Sequence, residues 1–177
     1  LAVTLGAQTM AGDLWISAQP ISSEHYYDTL AAELDRTPAL ADYRIEVVFD
    51  GTHTAAYALL GHAMLARGYE TQEDNARNAV LMSSQLDAVS YKVWLDNNAV
   101  GFVAIARTTL SVNPENALVR QHRPSYLSLI WSDPGWLLYR VQYPTPVVAA
   151  PATVIHADQA SMDINVPRAG SYAIRVH

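Results

Sequence analysis

The chain has 177 residues, 50% of them hydrophobic, enough to bury the core of one domain or of one domain with a small appendage. Its 17 acidic and 11 basic residues leave a net charge of −6 with no cluster of lysine and arginine, which argues against nucleic acid and against an anionic membrane surface as direct ligands. With no cysteine, disulfides, thiolate metal sites and cysteine nucleophiles are excluded.

The apolar opening "LAVTLGAQTMAG" is far shorter than the roughly 20 residues a membrane span needs. It also lacks the basic start of a signal peptide. Residues 1–19 are expected to be an irregular or partly extended lead-in. "SSEHYYDTLAAELDR" predicts a helix: Ser22 or Ser23 can cap it, Tyr26, Leu30 and Leu34 recur every four residues, and Pro38 lies beyond its end. "YRIEVVFD" predicts a strand with Ile45, Val47 and Phe49 on one face and Arg44, Glu46 and Val48 on the other. Asp50-Gly51 then supplies a turn.

"TAAYALLGHAMLARGY" suits a short helix or irregular crossing, followed by a strand over residues 64–69. "ETQEDNARN" reads as a polar loop and "AVLMS" as a short strand. Next, Ser84 or Asp87 caps a helix whose apolar face is Tyr91, Trp94 and Leu95, with Lys92 and Asp96 on its outer side. Asn97 and Asn98 suit a left-handed ending. "VGFVAIA" is apolar on both faces, as a covered central strand must be. "NPENALVRQH" predicts a short helix capped by Asn113, with Pro114 and Glu115 in its first turn and Arg120 and His122 at its negative end. "YLSLIWSDPGWLLYRV" predicts a β-hairpin turning at Pro134-Gly135. Three short strands close the chain, "TVIHA", "SMDINV" and "SYAIRV", with turns at Asp158-Gln159 and at residues 168–170. The last of them stops without a turn or polar tail, and the chain is expected to be an excised piece, truncated at its C-terminus.

The expected fold is α/β (α+β). Residues 1–143 form a mixed sheet with two or three flanking helices, and residues 144–177 a small antiparallel β unit. Three strands alone are marginal, so that unit must pack on the first part or on missing sequence.

Chemistry is harder to find. The histidines His25, His53, His62, His122, His156 and His177 are scattered, with no zinc-motif spacing, and suit surface or capping roles. No nucleophile-elbow serine and no phosphate-binding glycine loop is present. Glu73-Asp74 is the one adjacent acidic pair, in a polar loop where solvation is its simplest role. No catalytic residue, metal site or cofactor is assigned. Two clusters are candidate ligand sites. His53, Tyr57, Arg67 and Tyr69 could line a polar site, since arginine beside aromatics suits sugar, carboxylate or phosphate; alternatively Arg67 pairs with a nearby carboxylate and the tyrosines pack. Trp131 and Trp136 flank the hairpin turn and could stack on sugars, or else pack as a cross-strand pair.

The order "HTAAY", "LARGY", "LDAVSYKVWLDNNAVGFVAI", "YLSLIWSDPGWLLYRV" and "TPVV", within Ser22 to His177, resembles the extracytoplasmic C-terminal region of actinobacterial multi-spanning membrane proteins. These are similar to the C-type glycosyltransferases that use lipid-linked sugars and to YfhO-type membrane proteins. In that group a helix with a left-handed ending leads into a strand like "NNAVGFVAI", and a hairpin like "IWSDPGWLLYRV" follows. These are packing motifs. The catalytic acidic residue of the glycosyltransferases lies between early transmembrane helices, a segment this chain lacks, so none is carried over. The chain departs from the pattern at Gly101, where the group often has arginine before the aromatic residue.

The resemblance implies an extracytoplasmic accessory or acceptor-binding domain in cell-envelope glycan assembly, not catalytic alone. Its partners would be the membrane part of its own full-length chain and a glycan or lipid-linked sugar. The alternatives are a stand-alone soluble α/β enzyme with a His53/Arg67 pocket, and a protein–protein interaction module of the envelope.

Overall fold

"VGFVAIA" forms the central strand, and all seven of its residues are buried. The computed structural model describes residue 15 and residues 18–68, 77–157 and 162–175. Tyr69, most of the "ETQEDNARN" loop with Glu73-Asp74, the Asp158-Gln159 turn, His177 and most of residues 1–19 lie outside the described residues.

The main sheet has strands β1 (Arg44–Val47), β2 (Val100–Ala106), β3 (Leu127–Ser132) and β4 (Trp136–Val141). Their order is β1-β2-β4-β3. β1 and β2 run parallel, while β4 is antiparallel to both its neighbours. Strands β5 (Thr153–Ala157) and β6 (Met162–Asn165) make a separate antiparallel pair. The fold is therefore mixed α/β, as the sequence predicts.

Helix α1 (Asp28–Asp35) buries Leu30, Ala31 and Leu34. A 3-10 turn over Glu24–Tyr27 precedes it, and Ser23 makes no side-chain capping bond there. The α-helical part thus starts later than the cap pattern suggests. Ile45, Phe102, Ala104, Trp136 and Leu138 join the α1 side chains in one core. The opposite face of the sheet carries Val48, Val103, Ile105 and Tyr139, covered by helix α3 (Ala88–Asn97) through Tyr91, Trp94 and Leu95.

Asp87 caps α3. The Ser90 N–H donates to Asp87 Oδ1 at 2.8 Å, and the Ser90 hydroxyl accepts from the Asp87 N–H at 3.1 Å. The helix ends differently from expectation. Asn98 stays at φ −95, and the left-handed residue is Ala99 at φ 55. Asn98 instead donates its side-chain amide to the Trp94 carbonyl at 2.8 Å, and Ala99 is small enough to be wholly buried.

Among the described residues, three predicted strands are absent as such. Leu65 makes a single parallel bridge to Ile45, after a short helix α2 (Ala55–Ala58). The chain leaves the sheet edge at Arg67, whose guanidinium turns inward. Ala79–Met82 is a 3-10 turn rather than a strand. Asp50-Gly51 turns as predicted. Gly51 has φ 103, and a Cβ there would lie 2.8 Å from Leu110 Cβ.

Helix α4 (Pro114–Ala117) is capped by Asn113, which accepts from the Asn116 N–H at 2.8 Å. A π turn over Leu118–His122 follows. The β3–β4 hairpin turns at Pro134-Gly135, and the Asp133 carboxylate accepts from the N–H groups of Gly135 (2.8 Å) and Trp136 (2.6 Å). A bulge between Leu129 and Trp131 shifts the register of the two strands. The predicted last strand is a single Val148–Ile174 bridge. Val147, Val148, Ala152 and Val154 pack on Met64 and Ala99, which seats the β5–β6 unit on the main sheet. No helix among the described residues is long and apolar enough to cross a membrane.

Candidate functional site

Glu46 is the odd residue of β1. Its neighbours face apolar cores, and its own carboxyl is 0% exposed. A charge so deep must be paired and hydrogen-bonded. Arg67 supplies the partner: its Nε donates to Glu46 Oε1 at 2.9 Å, and its Nη2 donates to the same oxygen. Nη2 also donates to Glu115 Oε2 at 3.0 Å. The Tyr91 hydroxyl donates to Glu115 Oε1 at 2.8 Å. Two carboxyl groups thus share one guanidinium beneath α3, and all four side chains are buried. Burial pushes the Glu115 carboxyl up; the Arg67 charge and the Tyr91 hydroxyl oppose the rise without cancelling it. Burial and the neighbouring Glu115 likewise hold the Tyr91 hydroxyl well above its ordinary value.

Beside this sealed cluster lies an open cleft of about 250 Å3. Arg44 and Arg77 bring two cations to it, Asn78 and Asn98 bring carboxamides, and Leu65, Ala66 and Gly68 complete the lining. The fold builds these walls from the first residue of β1, the chain either side of Arg67 and the end of α3. Arg44 Nη1 donates to the Asn98 carbonyl at 3.2 Å and Nη2 to the Arg175 carbonyl at 2.9 Å. Asn78 is oriented by the Trp94 indole, whose Nε1 donates to Asn78 Oδ1 at 2.8 Å. Burial lowers the Arg44 pKa, because a cation is partly withdrawn from water and its bonds go to neutral carbonyls.

Among the described residues, those singled out in the sequence do not converge. Arg67 takes the pairing alternative: it is 6% exposed and bonded to Glu46 and Glu115. His53 is exposed and lies over Phe49, with ring centroids 5.8 Å apart. It precedes α2, whose Ala55 and Ala58 pack on the Ile45 face of the sheet, whereas Glu46 and Arg67 are on the other face. Among the described residues, His53 and Arg67 therefore sit on opposite faces of the sheet and do not share a pocket wall. Tyr57 is 58% exposed on α2. Trp136 is 0% exposed and packs on Tyr27 at 5.0 Å and Tyr26 at 5.5 Å. Its indole donates to the Tyr26 carbonyl at 3.0 Å, so it offers no face to a sugar. Trp131 is half-buried on the same core, opposite Leu138 rather than Trp136.

Sequence reasoning missed Glu46, Glu115 and Tyr91 as one cluster, and it missed the cleft. One signal for the first was present: a glutamate between isoleucine and valine in a short strand, with apolar residues available to both faces. Among the described residues, no three histidine, aspartate or glutamate side chains gather as a metal site requires.

The class that fold and site define is a mixed α/β domain with a polar, arginine-lined cleft. Comparison with known proteins returned no matching family model, no matching curated protein and no matching solved structure.

Proposed function

We propose that this chain is a binding domain rather than a catalyst: an extracytoplasmic accessory domain of a multi-spanning membrane protein in cell-envelope glycan assembly, which holds or orients the acceptor. The observation that supports a binding role is the fate of the charged groups. Glu46, Arg67, Glu115 and Tyr91 are hydrogen-bonded to one another in the interior, where no substrate reaches them. The open concavity instead offers arginines and carboxamides, groups that hold a polar ligand. The membrane and envelope parts of the proposal rest on the order of packing motifs in the sequence.

Two measurements test it. The full reading frame should encode several upstream apolar spans of about 20 residues each, and a frame without them rules out the membrane assignment. A binding screen of the 177-residue chain against envelope glycans and lipid-linked sugars should give hits with no turnover. Sugar transfer by this chain alone would contradict the binding role.

A further inference from the structure

Building on the binding role proposed above, we infer that the Arg44/Arg77 cleft takes a small hydroxylated ligand carrying one oxyanion, a carboxylate or a phosphate, about the size of a single sugar unit. The size follows from the volume. At about 250 Å3 the cleft falls just below the ~300 Å3 at which pockets for drug-sized ligands begin.

The charge follows from the lining. Two guanidiniums face one concavity on a chain whose net charge is −6. Among the described residues neither has a carboxylate within ion-pair distance. Arg44 is fixed in place by the Asn98 and Arg175 carbonyls, so among the described residues its remaining N–H groups are positioned without a neutralising charge. An oxyanion bridging Arg44 and Arg77 supplies that charge through charge-assisted hydrogen bonds, the geometry at which arginine excels.

The hydroxyl preference follows from Asn98. Its side-chain amide donates to the Trp94 carbonyl, which leaves Oδ1 as an acceptor. A bare oxyanion cannot donate to that oxygen, whereas a sugar hydroxyl can. Gly68 keeps the space open: a Cβ added there meets nothing within 4 Å. A larger side chain can therefore fill the cleft without disturbing the fold.

The test is calorimetric titration of the 177-residue chain with glucuronate, glucose 6-phosphate and glucose at matched ionic strength. The cleft predicts binding of at least one of the two anions, with glucose at least about tenfold weaker, the order of one lost charged hydrogen bond. Which anion binds identifies the oxyanion. Arg77→Ala, an exposed position, should weaken binding by a similar factor. Gly68→Leu should abolish it while leaving the melting temperature of the free protein unchanged. Glucose binding as tightly as the anions, failure of both anions, or wild-type affinity in both variants would overturn the inference. If a neutral glycan binds where the anions fail, the cleft assignment falls and the glycan-binding role stands. If the anions bind but the full reading frame has no upstream spans, the membrane assignment falls and the cleft stands.

Discussion

Arg67 was the most attractive ligand-binding residue in the sequence, and in the fold it is the cation that keeps Glu46 and Glu115 tolerable in the interior. Removing one partner of a buried ion pair costs about 3–5 kcal/mol, because the remaining charge stays desolvated and unpaired. Arg67→Ala should therefore destabilise the protein by that amount in chemical denaturation. Tyr91→Phe removes one donor from Glu115 Oε1 and should cost about 1–3 kcal/mol. An Arg67→Ala variant as stable as the wild type would refute the sealed-cluster description.

Asp50 is a second buried carboxyl with a different balance. It accepts from the Tyr27 hydroxyl at 2.8 Å, and from the Thr52 N–H and hydroxyl at 2.8 and 2.9 Å. Burial nevertheless raises its pKa above the ordinary 3.8. The folded state thus holds the Asp50 proton more tightly than the unfolded chain does. The stabilisation this gives is complete below the ordinary value and is lost as pH rises through the raised one. In Asp50→Asn, where the side-chain oxygen can still accept from Thr52, that loss should vanish. Thermal melts across the acid-to-neutral range should show the variant gaining on the wild type as pH rises; a constant difference would contradict the assignment.

At the scale of elements, the most legible features were those fixed by local chemistry. The Asp87 cap, the Asn113-Pro114 helix start, the Pro134-Gly135 turn and the doubly buried β2 all depend on neighbours within a few residues. What was illegible depends on competition between segments. Among the described residues of this stretch, only Leu65 bridges β1, and Ala79–Met82 closes into a 3-10 turn. No local pattern reports which segment reaches an edge first.

Gly101 sits at the same level. A Cβ at Gly101 would lie 2.5 Å from Tyr43 Cγ and 2.6 Å from Tyr43 Cβ. Tyr43 cannot easily retreat, because Arg140 from β4 stacks 4.7 Å from its ring and 4.5 Å from that of Phe102. The glycine makes room for Tyr43. Gly101→Ala should cost about 1–3 kcal/mol through overpacking, read as a drop in the denaturation midpoint. A neutral effect would mean that Tyr43 is not held.

At the scale of the whole molecule, the β5–β6 unit and the main sheet meet at Met64 and Ala99, and the Arg175 carbonyl beside that unit helps to fix Arg44. The candidate cleft therefore draws on residues from Arg44 to Asn98, with an anchor at Arg175. Sequence reasoning looked for a site among aromatic residues close together in the chain, which is why it found His53, Tyr57 and the hairpin tryptophans instead. A site assembled from a strand start, a loop and a helix end has no sequence spacing to betray it. The most direct test of the proposed role is backbone amide NMR of the 177-residue chain during titration with glucose 6-phosphate and glucuronate. Shifts concentrated at Arg44, Leu65, Ala66, Gly68, Arg77, Asn78 and Asn98 are predicted, with the amides of Trp131, Trp136, His53 and Tyr57 unmoved. Shifts centred on the hairpin or on α2, or no shifts with either ligand, would contradict it.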